Sequence, residues 1–126
     1  MIEFDAAPDH VVALRFEGTL TGDDFDRVKE EIDDRLARHR RIALVADLTA
    51  FSGPSLEALA KDFRYNLAML GHWDRFPREA VITDSAWIRT AVAAFDPIIP
   101  QVEVKAFAPA ERQAAFAWAA DFNRAA

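Results

Sequence analysis

Two short, uninterrupted apolar runs lie between segments whose apolar residues recur with helical spacing. Ile42–Ala46 ends at Asp47, and Ala80–Thr83 is followed by Asp84. Strands that read as continuous apolar runs are typically covered on both faces, as in parallel sheets. Parallel strands need a crossover of a dozen residues or more, usually a helix. The sequence therefore predicts an α/β fold built around a largely parallel sheet.

The remaining segments complete a predicted order of ββαβαβαβα. Ile2–Phe4 and His10–Glu17 show the period-two alternation of strands, and their short connection makes them antiparallel. Val102–Phe107 alternates with charged residues and should form a sheet edge. Thr21 and Asp24 have the spacing of a capping box. The expected fold is a mixed five-stranded sheet with four helices, which begin near Thr21, Pro54, Ala86 and Pro109.

Composition indicates one globular domain, here taken to span residues 1–126. The 52% hydrophobic content supports a core, and the net charge of −6 argues against a nucleic-acid binder that relies on phosphate neutralisation. The absence of Cys excludes disulfides, thiol catalysis and Cys-ligated metal sites. Neither a signal peptide nor an apolar run long enough for a transmembrane helix is recognisable. We therefore expect a cytoplasmic protein without a transmembrane segment.

Several stretches of the chain, taken in this order, are similar to one known family. They are Val11–Gly18, Ala46–Thr49, Glu79–Asp84, Trp87 and Phe95–Phe107. Together they resemble the SpoIIAA-like family, a domain of the STAS/SEC14 type. The resemblance implies the topology of the sporulation anti-sigma-factor antagonists and a wider relation to lipid-binding SEC14 domains. These are signatures of fold, and they imply no catalytic motif.

The resemblance also suggests an alternative function, a phosphorylation-switched protein-interaction module. In the antagonists, a serine in an Asp-Ser-Ser-Gly stretch at the start of the second helix is the phosphorylated residue. The corresponding loop here runs from Ala50 to Ser55 and lacks the acid and the paired serines. Ser52 and Ser55 are the candidates, because a phosphate is favoured at a helix N-terminus.

Candidate catalytic groups form no recognised constellation. Asp47 and Asp84 end neighbouring predicted strands and could form a carboxylate pair for acid–base work or a metal, although both also suit capping and loop hydrogen bonds. His39 and His72 are expected at the opposite edge of the sheet, which prevents a Ser/His/Asp triad. No Gly-rich phosphate-binding motif occurs. We expect no enzymatic activity, no cofactor and no metal.

Basic and apolar residues are expected together at that opposite edge. Basic side chains around an apolar group suit an anionic amphiphile, an anionic membrane surface or an acidic partner. Alternatively, the arginines complement helix C-termini and the apolar residues close the core. We name this set the basic-apolar edge. Its members are Arg38, Arg40, Arg41, Trp73, Arg75, Phe76 and Arg78.

The function predicted first is that of a non-catalytic regulatory module. Its expected partner is an apolar or amphiphilic, lipid-like small molecule, or another protein. Ten Phe and three Trp offer apolar lining for such a ligand. The predicted pocket lies between the sheet and the second and third helices, lined by Phe63, Leu67, Trp87, Val92 and Phe95.

Self-association is predicted through helix and connection residues rather than through strand edges. Both expected edge strands carry charges that discourage pairing with another chain. Trp87, Ile98 and Ile99 are the apolar residues least accounted for by the core stripes. We expect a homodimer with a two-fold interface at these residues. The alternative is a monomer in which they fold back over the sheet.

Overall fold

One sheet of five strands organises the chain. A computed structural model describes residues 1–18, 21–51, 75–86, 89–90 and 103–122. Two helices, one on each face, accompany the sheet in these residues. The strands are β1 (Ile2–Asp5), β2 (Val11–Gly18), β3 (Ala43–Phe51), β4 (Arg78–Ile82) and β5 (Glu103–Phe107). The helices are α1 (Gly22–Arg38) and α2 (Arg112–Ala120), and a 3₁₀ turn at Pro109–Glu111 leads into α2.

The spatial order of the strands equals their order in the chain, β1-β2-β3-β4-β5. β1 runs antiparallel to β2, and every later neighbouring pair is parallel. This confirms the predicted mixed five-stranded sheet, with the first and last strands at its edges. Of the four predicted helices, the second lies outside the described residues. The third is represented by three helical residues, Ala86, Arg89 and Thr90.

Two strand boundaries differ from the prediction by more than one residue. β3 continues past Asp47 to Phe51, because β2 supplies pairing partners as far as Gly18. β4 begins at Arg78 rather than Ala80. β2 ends at Gly18, whose φ of 58° lies in the left-handed region that favours glycine. Asp47 therefore lies inside a strand and not in a loop at the sheet edge.

The start of α1 is set locally by the predicted capping box. The Thr21 hydroxyl accepts the backbone N–H of Asp24, and Asp24 Oδ2 accepts the backbone N–H of Thr21 at 2.9 Å. The Thr21 N–H is the largest of the influences that lower the pKa of the Asp24 carboxyl. Caps of this kind contribute about 1 kcal/mol. The apolar side of α1 then packs against β2 through Val28 and Ile32.

The sheet separates two apolar layers. We call the face covered by α1 the first face; it carries Val12, Leu14 and Leu44. The second face carries Val45, Ala80, Ile82 and Phe107 and is covered by α2. The contact residues of α2 include Ala115 and Ala119, both fully buried, and their small side chains allow the helix to approach the strands closely.

Candidate functional site

Arg75 of the basic-apolar edge stabilises the C-terminal end of α1. Its Nε donates to the carbonyl of Arg40 at 2.9 Å, and its Nη2 donates to the carbonyls of Leu36 at 2.7 Å and His39 at 3.1 Å. The last carbonyls of a helix lack partners within it and carry partial negative charge. A single guanidinium group therefore satisfies three acceptors at this end.

Arg78 stabilises the C-terminal end of α2, and Phe76 belongs to the core. Arg78 Nη1 donates to the carbonyl of Trp118 at 2.7 Å, and the guanidinium lies 4.9 Å from the centre of the Trp118 ring. Phe76 is 1% exposed and packs in the first-face cluster. For Arg75, Arg78 and Phe76, these contacts agree with the alternative in which the arginines complement helix C-termini and the apolar residues close the core.

The other members of the edge differ in how they are paired. Arg38 forms ion pairs with Asp9 at 3.1 Å and Asp34 at 2.6 Å. Hydrogen bonds from Arg38 and then from His39 hold the pKa of the Asp9 carboxyl well below its usual range. Arg40 is exposed and Arg41 half-buried. Trp73 lies outside the described residues, so a ligand role for the edge stays a prediction.

The two described histidines lie at the end of the sheet predicted for His39. His39 Nε2 is 2.6 Å from Asp9 Oδ2. His10 is buried, and its Nε2 donates to the carbonyl of Ala120 at the end of α2, at 3.0 Å. His72 lies outside the described residues. Both described imidazoles thus serve contacts between elements.

Asp47, on the second face, is committed to contacts within the protein. Its Oδ1 accepts the N–H of Thr49 at 3.0 Å and the Thr49 hydroxyl at 2.6 Å, and its Oδ2 accepts from Arg112. Arg112 also donates to Asp5 at 2.7 Å. A positive charge in the first turn of a helix opposes the helix dipole. The two carboxylates offset that unfavourable position of Arg112.

The structure does not bring Asp47 and Asp84 together as the carboxylate pair considered from the sequence. Asp47 is buried against Arg112, whereas Asp84 is exposed. The nearby polar contact is local: the Thr83 hydroxyl accepts the N–H of Ser85 at 3.1 Å. Within the ranges that the structure describes, no three His, Asp or Glu side chains gather in a group that could hold a metal ion.

A different polar group, the carboxyl of Glu79, stands out on the first face. Glu79 is 8% exposed, and its Oε1 has no hydrogen-bond partner in the described part of the chain. Burial raises the pKa of this carboxyl to about 7. A buried carboxyl without a partner is uncommon in folded proteins. Burying this carboxyl does not help to stabilise the fold. Among the described groups, it is therefore the one whose position is least explained by stability alone.

Glu79 lies in a small patch that spans three parallel strands. Side chains on this face form two rows in register, Leu44–Glu79–Val104 and Ala46–Val81–Ala106. The first row is buried and the second is half-buried. The second row is nearer the carboxyl ends of the strands, where open parallel sheets usually bind ligands. We call these six residues the sheet floor.

Sequence reasoning missed Glu79 because it placed the start of the strand at Ala80. One signal was available: Glu79 is two residues before Val81, so in a strand both side chains point to the same face. An internal parallel strand is covered on both faces, which makes a charged residue at that spacing unusual.

The other predicted site residues form three sets. The pocket-lining set, the phosphorylation candidates and the interface set all lie outside the described residues and stay predictions. They are Phe63, Leu67, Trp87, Val92 and Phe95 for the pocket, Ser52 and Ser55 for phosphorylation, and Trp87, Ile98 and Ile99 for the interface. In the described ranges, no helix is long and apolar enough to cross a membrane.

Comparisons with known proteins agree with this architecture. A crystal structure of an uncharacterised protein of the DUF3478 family from Shewanella loihica PV-4, which has a SpoIIAA-like fold, is similar with a TM-score of 0.67. The two sequences are 24% identical, and the match covers 94% of this chain and 92% of the other. A comparison with curated protein sequences gave no match. The SpoIIAA-like family model matches residues 11–120, from the first residue of β2 to the last residue of α2, and the chain therefore belongs to the SpoIIAA-like family.

Proposed function

We propose that this protein is a non-catalytic regulatory module that binds an apolar or amphiphilic small molecule on the sheet floor. The observation that carries the proposal is the half-buried row of Ala46, Val81 and Ala106 beside the buried carboxyl of Glu79. An apolar surface with few polar groups is the usual composition of a small-molecule site.

The positions of the two helices support this choice of surface. α1 packs on the first face against β2, and α2 packs on the second face against β3, β4 and β5. Among the described residues, the first-face core cluster that contains Val28 and Ile32 of α1 includes no residue of β4 or β5. The predicted pocket residues, from Phe63 to Phe95, belong to the segments that join β3 to β4 and β4 to β5. In the pocket predicted from the sequence, these residues line a site to which the sheet floor contributes the strand side.

Native mass spectrometry of the gently purified protein tests the proposal, followed by titration with fatty acids and phospholipids. An Ala106→Phe variant places a ring on the sheet floor and should weaken binding at least about tenfold, or about 1.4 kcal/mol. Ala114→Phe makes the same change on the exposed side of α2 and is the matched control. If no ligand co-purifies and no fatty acid, phospholipid, long-chain alcohol or alkylamine binds, the proposal is wrong.

A phosphorylation-switched interaction module is the second candidate, and membership of the SpoIIAA-like family favours it. β3 ends at Phe51, and Ser52 is the next residue in the chain. A phosphate there would add a charge of about −1.5 to −2. Intact-mass spectra of the native protein and pull-downs with Ser52→Asp and Ser55→Asp test this candidate. An unmodified mass together with unchanged partners would exclude it.

We also propose that the protein forms a homodimer through Trp87, Ile98 and Ile99. Such an interface should bury on the order of 1,200–2,000 Å² in total. Sedimentation equilibrium at micromolar concentrations distinguishes a dimer from a monomer of 14.1 kDa. A dimer that persists in both Trp87→Ala and Ile98→Asp would refute this choice of surface.

A further inference from the structure

We propose that Glu79 recognises the polar end of the ligand, and that this end is an ammonium group on an apolar chain. The inference rests on the proposed function and deepens it, because it assigns the ligand a chemical class. Three features of the sheet floor support it: a hydrogen-bond acceptor with no described donor, an acidic group with no described counter-charge, and an adjacent apolar row.

The unmet acceptor is Oε1 of Glu79. It is buried, and no donor in the described part of the chain reaches it. The side chains in register with Glu79 are Leu44 and Val104, and the neighbouring row contains only Ala46, Val81 and Ala106. None of the five can donate a hydrogen bond through its side chain. A donor supplied by a ligand would satisfy the carboxyl without any rearrangement of the sheet.

Among the described residues, the charge of Glu79 also has no counterpart on its own face. Arg78 is adjacent in the chain, and Lys105 is in register with Ala80, but strand alternation directs both to the second face. There both lie over the ring of Trp118, with Arg78 at 4.9 Å and Lys105 at 5.9 Å from the ring centre. Glu79 has no described ion pair, so an ammonium group would complement it, whereas a carboxylate or phosphate would oppose it.

The apolar row next to Glu79 suits the chain of the same ligand. Adjacent strands are about 4.8 Å apart, so the row from Ala46 to Ala106 spans about 10 Å. Residues two apart along a strand are separated by about 7 Å, which places this row beside Glu79. An alkyl chain lying across Ala46, Val81 and Ala106 can thus keep its ammonium group at the carboxyl.

Because burial raises the pKa of Glu79 to about 7, ammonium binding should depend on pH. The ammonium group pairs with the ionised carboxyl, and about one tenth of this group is ionised at pH 6. Affinity should therefore be about tenfold lower at pH 6 than at pH 8. The neighbouring strands present no titratable side chain to Glu79: β3 offers Leu44 and Ala46, and β5 offers Val104 and Ala106.

The test is calorimetric titration of the full chain with decylammonium and decanoate below their critical micelle concentrations and with decanol below its solubility limit. At pH 8, decylammonium should bind the unmodified protein at least about tenfold more tightly than decanol, as expected for a charged hydrogen bond. Glu79→Gln should remove this preference and its pH dependence while keeping decanol binding. Glu103→Gln removes an exposed carboxyl from the neighbouring strand. It should change neither the preference for decylammonium nor the pH dependence of that preference.

The outcomes separate this inference from the function on which it rests. If decanol or decanoate binds as tightly as decylammonium, or if Glu79→Gln keeps the preference, the ammonium inference is overturned and amphiphile binding stands. If none of the three compounds binds, both are overturned. Retained decanol binding by Glu79→Gln also shows that the variant is folded.

Discussion

Replacing Glu79 with Gln should stabilise the protein at pH 8 and leave it almost unchanged at acidic pH. The usual pKa of a Glu carboxyl is 4.5, and burial raises that of Glu79 to about 7. Between these values the folded protein holds a proton that the unfolded chain has released. The free energy of unfolding therefore decreases as pH rises from about 4.5 to about 7 and levels off above.

The size of the effect follows from the same two values. A difference from 4.5 to about 7 corresponds to about 3 kcal/mol of stability lost at pH 8 relative to the protonated state. Gln has the shape of the protonated acid and does not ionise, so Glu79→Gln removes this loss. We expect the variant to be up to about 3 kcal/mol more stable than the unmodified protein at pH 8.

Urea unfolding followed by circular dichroism at several pH values between 4 and 8 measures the effect. The quantity to plot is the difference in free energy of unfolding between the variant and the unmodified protein, because contributions from other carboxyls then cancel. Glu103→Gln is the matched control, since it removes an exposed carboxyl from β5. A difference that does not change with pH, or a Glu79→Gln variant that is less stable at pH 8, would refute the reasoning.

Three further predictions concern contacts that hold the helices, each measured by urea unfolding. Arg75→Ala should lower stability by about 2 kcal/mol because three carbonyls at the end of α1 lose their donor, whereas exposed Arg40→Ala should have little effect. Thr21→Ala should cost about 1 kcal/mol and Thr21→Ser much less, since serine keeps the capping hydroxyl. Arg112→Ala and Asp47→Asn should be non-additive by about 1–3 kcal/mol in a double-mutant cycle, because the two side chains are paired; additive losses would contradict this.

Features that depend on neighbouring residues were predictable from the sequence. The alternation of β2 assigned Val12, Leu14 and Phe16 to one face, and the structure places them together in the first-face core. The capping box of α1 joins residues three apart, Thr21 and Asp24. Short and long connections predicted which strands are antiparallel and which are parallel. In each case the interacting groups are close in the chain, so local spacing was sufficient.

Features that depend on distant residues were decided only by the tertiary structure. The partner of Asp47 is Arg112, 65 positions away, and not Asp84, with which a carboxylate pair had been one possibility. Arg75 reaches the end of α1 across 39 positions to Leu36. The sequence pattern assigned no role to Arg112 and placed Arg75 at the basic-apolar edge without a specific partner, because no periodicity tells which helix end a side chain will meet.

Glu79 shows most clearly the difference between what local sequence determines and what the tertiary structure decides. The sequence by itself determined that a buried strand follows it, through the apolar run that begins at Ala80. Its own burial depends on pairing with Leu44 on one side and Val104 on the other, which are 35 and 25 positions away. Desolvation of a carboxyl is set by every group around it in space. Only the assembled sheet could therefore decide that this glutamate lies in the interior without a described partner.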